Sequence, residues 1–117
     1  MSGITTHVLD TSRGMPAAGI LVELEFNHHS NPPVDADWQT ISSKETNADG
    51  RVPELTSDTI QAGHYRINFF VDPYFHQLKQ ESFYPVARIE FRVTDTSQHY
   101  HVPLLLNPFG YSTYRGS

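Results

Sequence analysis

Tyr65-Arg66-Ile67-Asn68-Phe69-Phe70-Val71-Asp72 is the stretch that decides the fold. Tyr65, Ile67, Phe69 and Val71 fall on one side of an extended chain, and Arg66, Asn68, Phe70 and Asp72 fall on the other. Side chains alternate across a strand, so this period of two reads as a β-strand with one face on a core. The same rhythm recurs on either side. Upstream, Ile20, Val22, Leu24 and Phe26 alternate with Leu21, Glu23, Glu25 and Asn27. Downstream, Ala87, Ile89, Phe91 and Val93 alternate with Arg88, Glu90, Arg92 and Thr94. Between them, Asp72-Pro73 reads as a helix start, with Asp as the cap and Pro at the first helical position. Tyr74, Phe75 and Leu78 follow at helical spacing and predict a short helix over about residues 73 to 81.

Thr5 to Asp10 places His7 and Leu9 on one strand face and Thr6, Val8 and Asp10 on the other, with a turn after it at Arg13-Gly14-Met15-Pro16. His28 to Asp37 is rich in Pro, Asn and Asp and reads as a loop, and Trp38 to Ser43 as a weaker strand. Asn47-Ala48-Asp49-Gly50 carries the strongest hairpin-type turn signal and sets Arg51 at the mouth of the next short strand. His99 to Leu106 and Gly110 to Arg115 are two further strands around a turn at Asn107-Pro108. Eight short strands, one brief helix and no alternating strand–helix–strand pattern predict an all-β fold, an antiparallel β-sandwich. At 117 residues the expectation is a single domain over 1–117, long enough to bury about two thirds of its unfolded surface.

Composition excludes several classes. The chain carries 13 acidic residues against 8 Lys plus Arg, a net charge of −5, whereas general nucleic-acid binding wants a basic face for phosphates. There is no cysteine, hence no disulfide and no thiol chemistry. No apolar run approaches the roughly 18 residues of a membrane span, and the first residues show no basic segment followed by an apolar run. The expected setting is therefore soluble and cytoplasmic, with no membrane partner.

Chemistry concentrates at the end of the chain. His99 to Ser117 holds two histidines, three tyrosines and one arginine but no Asp or Glu. Of the seven histidines, His28 and His29 fall in the loop, while His64 and His76 read as structural. His7 and His101 lie within strands, where a histidine is more often structural than functional. His99 and His101 share a strand face, and with His7 they could form a tris-histidine zinc set, although His-x-His alone is a weak metal signal. Arg51 is either a solvated edge residue or an anion clamp, because guanidinium presents planar paired donors to an oxyanion. Along the final strand Ser112, Tyr114 and Gly116 share one face and Tyr111, Thr113 and Arg115 the other.

The ending Tyr114-Arg115-Gly116-Ser117 resembles the C-terminal signature of 5-hydroxyisourate hydrolases, transthyretin-related enzymes of purine breakdown, which hormone-binding transthyretins lack. The similarity extends to His7-Val8-Leu9-Asp10, Arg13-Gly14-Met15-Pro16-Ala17 and Asp49-Gly50-Arg51, and spans essentially the whole chain. The resemblance implies a transthyretin-like two-sheet sandwich that hydrolyses 5-hydroxyisourate without metal or cofactor. It implies that His7, Arg51, His101 and Ser117 are catalytic, and that His7, Arg51, Ser112 and Tyr114 bind substrate. Which histidine is acid and which is base stays open. It further implies a homotetramer, a dimer of dimers with sites in an interface channel. A hormone-like carrier of the transthyretin type is the alternative, disfavoured by the polar residues expected to line the channel. A structural or adhesive module is a second alternative. A chain that starts at Met, has no linker and ends in Tyr-Arg-Gly-Ser argues against it.

Overall fold

The computed structural model describes residues 3–28, 35–57 and 59–116. In chain order the strands are β1 (Gly3–Asp10), β2 (Met15–Pro16), β3 (Leu21–Asn27), β4 (Gln39–Glu45), β5 (Arg51–Val52), β6 (Gly63–Phe70), β7 (Ala87–Val93), β8 (His99–Asn107) and β9 (Gly110–Thr113). The helix α1 (Asp72–Gln77) follows β6, and a 3₁₀ turn spans Asp35–Asp37. Every expected strand is present. The ninth, β2, occupies part of the expected turn after β1, where Leu9 pairs with Pro16 and Asp10 with Met15. Within the expected loop, residues 29–34, including His29, lie outside the described residues.

Two sheets face each other. One runs β2-β1-β8-β9, with β5 also pairing β1, and the other runs β4-β3-β6-β7. The expected antiparallel pairing holds for all pairs but one, since β1 and β8 run parallel from Gly3↔His99 to Asp10↔Leu106. Ile4, Val8, Val52, Leu104 and Leu106 project inward from the first sheet, against Val22, Leu24, Tyr65, Ile67, Phe69 and Val93 from the second. Burying each such side chain stabilises the fold by about 1.5–3 kcal/mol, so this layer supplies most of the driving force. The inner positions of β1 are the even-numbered ones, which turns Thr5, His7 and Leu9 to the outer face.

Two features depart from the sequence pattern. Glu25, expected on a solvent face, is 9% exposed. Arg66 binds its carboxylate through Nε and Nη2 at 2.5 and 3.2 Å, and Asn68 donates to it at 2.6 Å. Arg66 is itself covered by the Trp38 ring, 4.2 Å from its guanidinium carbon. The hydrogen bonds from Arg66 are the chief reason the Glu25 carboxyl titrates below its ordinary range.

The helix is also shorter than expected. Val71, not Asp72, is the N-cap, and it makes no side-chain cap bond; Asp72 lies in the first turn, where its charge suits the helix dipole. Its carboxylate accepts from Ser82 instead. At the other end Lys79 adopts a left-handed backbone (φ 57°). The Lys79 N–H donates to the His76 carbonyl and the Gln80 N–H to the Phe75 carbonyl, both at 3.0 Å, which is a Schellman termination. A side chain in that conformation costs about 1–2 kcal/mol, and glycine removes the penalty. Lys79→Gly should therefore raise unfolding stability by up to about 1 kcal/mol, read from the denaturant midpoint; a lower midpoint would contradict the strain at this position.

Candidate active site

The outer face of the first sheet gathers side chains from β1, β5, β8 and the segment after β9. In β1 the buried hydroxyl of Thr6 and the carboxylate of Asp10 anchor the strand from its inner side. Thr6 Oγ1 donates to the Val102 carbonyl at 2.6 Å, and Asp10 Oδ2 accepts from the Tyr74 hydroxyl at 2.7 Å. The outward residues Thr5 and His7 are thereby fixed on a strand held by both neighbours.

Arg51 is delivered by the turn before it. Asn47 Oδ1 accepts from the Asp49 and Arg51 amides at 2.9 and 3.0 Å, closing the loop on its own backbone. Gly50 then passes against β1, its carbonyl accepting from the Val8 amide at 2.7 Å. A Cβ on Gly50 would lie 2.4 Å from the Val8 carbonyl oxygen, and its φ is +73°, so only glycine fits there. This contact sets Arg51 directly opposite His7 in the β1–β5 pairing.

His101 comes from β8, opposite Thr5, with Pro103 opposite His7. The returning strand β9 places Ser112 opposite Leu105 and Thr113 opposite Leu104. Pro103 has no amide hydrogen to give, and the Thr113 hydroxyl donates to its carbonyl at 2.7 Å. Past this break the register resumes as Gly116 bridges His101, its amide donating to the His101 carbonyl at 2.8 Å. A Cβ on Gly116 would sit 2.6 Å from His101 Cδ2, so the backbone here forms one wall of the imidazole's seat.

Electrostatics tie these residues together. Burial, and after it the charge of Arg51, hold the His7 imidazole below its ordinary value near 6.5, while the neighbouring Asp49 backbone and carboxylate oppose this. The His101 imidazole is lowered by burial first, then by Arg51, His99 and His7. Burial first and the one cation after it thus favour the neutral form of both rings, the form in which imidazole accepts a proton.

Of the sequence-derived candidates, His7, Arg51 and His101 come together. Ser112, opposite Leu105, is exposed on this sheet face, while Tyr114 follows the end of β9 and is 58% accessible. Ser112 stands nearer the far end of β8 from His101. Arg115 turns the other way, its guanidinium over the Tyr100 ring at 4.5 Å and bonded to Gln98. Ser117 lies outside the described residues. Among the described residues no group of three or more His, Asp or Glu side chains has the geometry to hold a metal ion. The ring nitrogens of His99 and His101 flank the Thr5 hydroxyl, at 3.0 Å from His99 Nε2 and 2.7 Å from His101 Nδ1. Thr5 was not singled out by sequence reasoning; its position two residues before His7 on the same face was the available signal.

A two-sheet sandwich with two half-buried imidazoles and an arginine on one outer face defines a transthyretin-like protein with an ionisable site. Residues 4–116 match the family described as HIUase/Transthyretin, and the chain belongs to that family. It is 43% identical to the 5-hydroxyisourate hydrolase of Mus musculus over 117 residues, covering 99% of this chain and 96% of that one. Among solved structures it resembles the Klebsiella pneumoniae 5-hydroxyisourate hydrolase, with a TM-score of 0.85 and 34% identity over 100% of both chains. It also resembles sea bream transthyretin in complex with thyroxine, with a TM-score of 0.85 and 28% identity over 97% of this chain and 93% of that one. Among the described residues no helix is long and apolar enough to cross a membrane.

Replacing Arg51 by Gln removes the positive charge that depresses both imidazoles. The titration midpoints of His7 and His101, followed by proton NMR, should both move upward, so that each ring charges at higher pH than in the parent protein. Midpoints that stay in place would mean that Arg51 does not act on them.

Proposed function

We propose that this chain hydrolyses 5-hydroxyisourate to 2-oxo-4-hydroxy-4-carboxy-5-ureidoimidazoline in urate breakdown, with His7, Arg51 and His101 at the reacting atoms. The observation that carries this reading is the placement of Arg51 opposite His7, with His101 on the adjoining strand, so that a cation and two half-buried imidazoles share one sheet face. Opening the six-membered ring requires adding water to a ring carbonyl and breaking the adjacent C–N bond. Neutral imidazole can take the proton of that water, and protonated imidazole can deliver one to the leaving nitrogen. Arg51 holds the anionic substrate and steadies the oxyanion as the carbonyl carbon becomes tetrahedral. On the resemblance, Tyr114 and Ser112 offer hydroxyls to the ring and Ser117 has a supporting role.

The carrier reading is favoured by the thyroxine-bound transthyretin that shares this fold. It is weakened by the site's charge, since a cation and two titratable rings suit a polar, anionic ligand that reacts. Both readings are separated by one assay. 5-Hydroxyisourate generated with urate oxidase should decay faster in the presence of this protein, followed by its ultraviolet absorbance. His7→Ala, Arg51→Ala and His101→Ala should each lower turnover by about 10²-fold or more with the fold retained. Parent-like rates in two of the three would remove the assignment.

We also infer a homotetramer, a dimer of dimers, supported by the family and by apolar surface along β8 and its turn: Leu105 is half-buried and Phe109 is 68% exposed. Sedimentation velocity should give a single species of four chains; a monomer would contradict it.

A further inference from the structure

The Thr5 hydroxyl between His99 and His101 has no part in the reaction as described above, yet it restricts what His101 can do. A hydroxyl has one proton, so Thr5 donates to one ring and accepts from the other. Two neutral arrangements satisfy this. If Thr5 donates to His99 Nε2, His99 must carry its own proton on Nδ1, and that atom is buried without a hydrogen-bond partner. If Thr5 donates to His101 Nδ1, then His99 Nε2–H donates to Thr5, and His99 Nδ1 holds only a lone pair. A buried N–H without an acceptor is the rarer and costlier defect, which selects the second arrangement. The distances agree. The 3.0 Å contact to His99 has the length of an N–H donor, about 2.9–3.0 Å, while the 2.7 Å contact to His101 has that of a hydroxyl donor.

We propose that Thr5 and His99 are positioning residues that hold His101 as the tautomer with its proton on Nε2, so that His101 acts as a neutral hydrogen-bond donor and His7 as the base. The assignment rests on the hydrolase reading above. With Nδ1 taken up by the Thr5 hydroxyl and Nε2 protonated, His101 has no lone pair left to accept a proton, which leaves His7 as the imidazole that can. The charged and titratable groups that face His101 are Arg51 on β5, His7 on β1 and His99 on β8, and all three disfavour a second proton on it.

The reaction then balances without a proton leaving His101. The water proton passes to the unprotonated nitrogen of His7 as the water oxygen bonds to the ring carbonyl carbon. The carbonyl electron pair moves onto its oxygen, held by His101 Nε2–H and Arg51. On collapse the C–N bond breaks, and the nitrogen takes the proton from His7.

The test is made on the full chain labelled with ¹⁵N-histidine, at a pH above both titrations. Long-range ¹H–¹⁵N spectra should show His101 with Nδ1 bare and Nε2 protonated, and Thr5→Val should convert this to a mixture of tautomers. A parent spectrum with His101 protonated on Nδ1 overturns the proposal, and this arm is independent of activity. In turnover, Thr5→Val should lower kcat about 10-fold with KM little changed, the loss typical of a group that orients a reacting one. Thr5→Ser should restore it. His99→Gln, which can still present an N–H, should stay closer to the parent than His99→Phe. Parent-like kcat in Thr5→Val overturns the proposal. An inactive parent protein overturns the hydrolase reading instead, and the spectra still decide the tautomer.

Discussion

The parallel pairing of β1 with β8 is the constraint on which the molecule depends. It runs through eight register positions, Gly3↔His99 to Asp10↔Leu106, and it fixes two surfaces at once. Inward it stacks Ile4, Val8, Leu104 and Leu106 into the core. Outward it sets Thr5 against His101, with His99 one pair along the strand. A slip of one residue would exchange the two faces, burying imidazoles against leucines and exposing the core. The register is therefore selected by the hydrophobic effect, and the site is organised as the other side of the same choice.

Backbone approach completes what the pairing begins. Gly50 and Gly116 each occupy a place where a Cβ would lie under 3.0 Å from a neighbouring atom. Gly50 lets the turn before Arg51 press on β1, and Gly116 lets the last described residues close on His101. Positioning by main chain is stiffer than positioning by a side chain alone, because it fixes a site through ladder hydrogen bonds rather than rotamers. Thr5 adds a finer constraint, since it bears on where His101 carries its proton rather than on where the ring sits.

Much of this was legible in the sequence. The period of two in Tyr65–Val71, Ile20–Phe26 and Ala87–Val93 identified strands, and Asn47–Gly50 announced the turn that carries Arg51, because both are signals within a few residues. The parallel sense of β1 and β8 was not legible, since pairing between segments over ninety residues apart leaves no local pattern. Glu25 looked solvated because its burial depends on Arg66, Asn68 and Trp38, three residues distant in sequence. The helix is shorter than its apolar spacing, which continues to Leu78, because termination is decided by the left-handed turn at Lys79. For the site, His7, Arg51 and His101 were singled out by a family resemblance as well as by residue type. The hydroxyl between His99 and His101 could emerge only once two strands lay side by side.

The strand order has a consequence for how the molecule comes into being. The sheet made of β3, β4, β6 and β7 joins each strand to a neighbour close in sequence, and all four have emerged from a ribosome once Val93 is clear of the exit tunnel. The other sheet has no such freedom. Its central strand β1 is synthesised first but has no parallel partner until β8 follows, so its unpaired edge must wait through most of translation. Closing so long a loop carries an entropic cost that local turns do not, and contacts of this span slow folding. The half of the protein that bears the imidazoles is thus the half whose central pairing waits for the end of the chain.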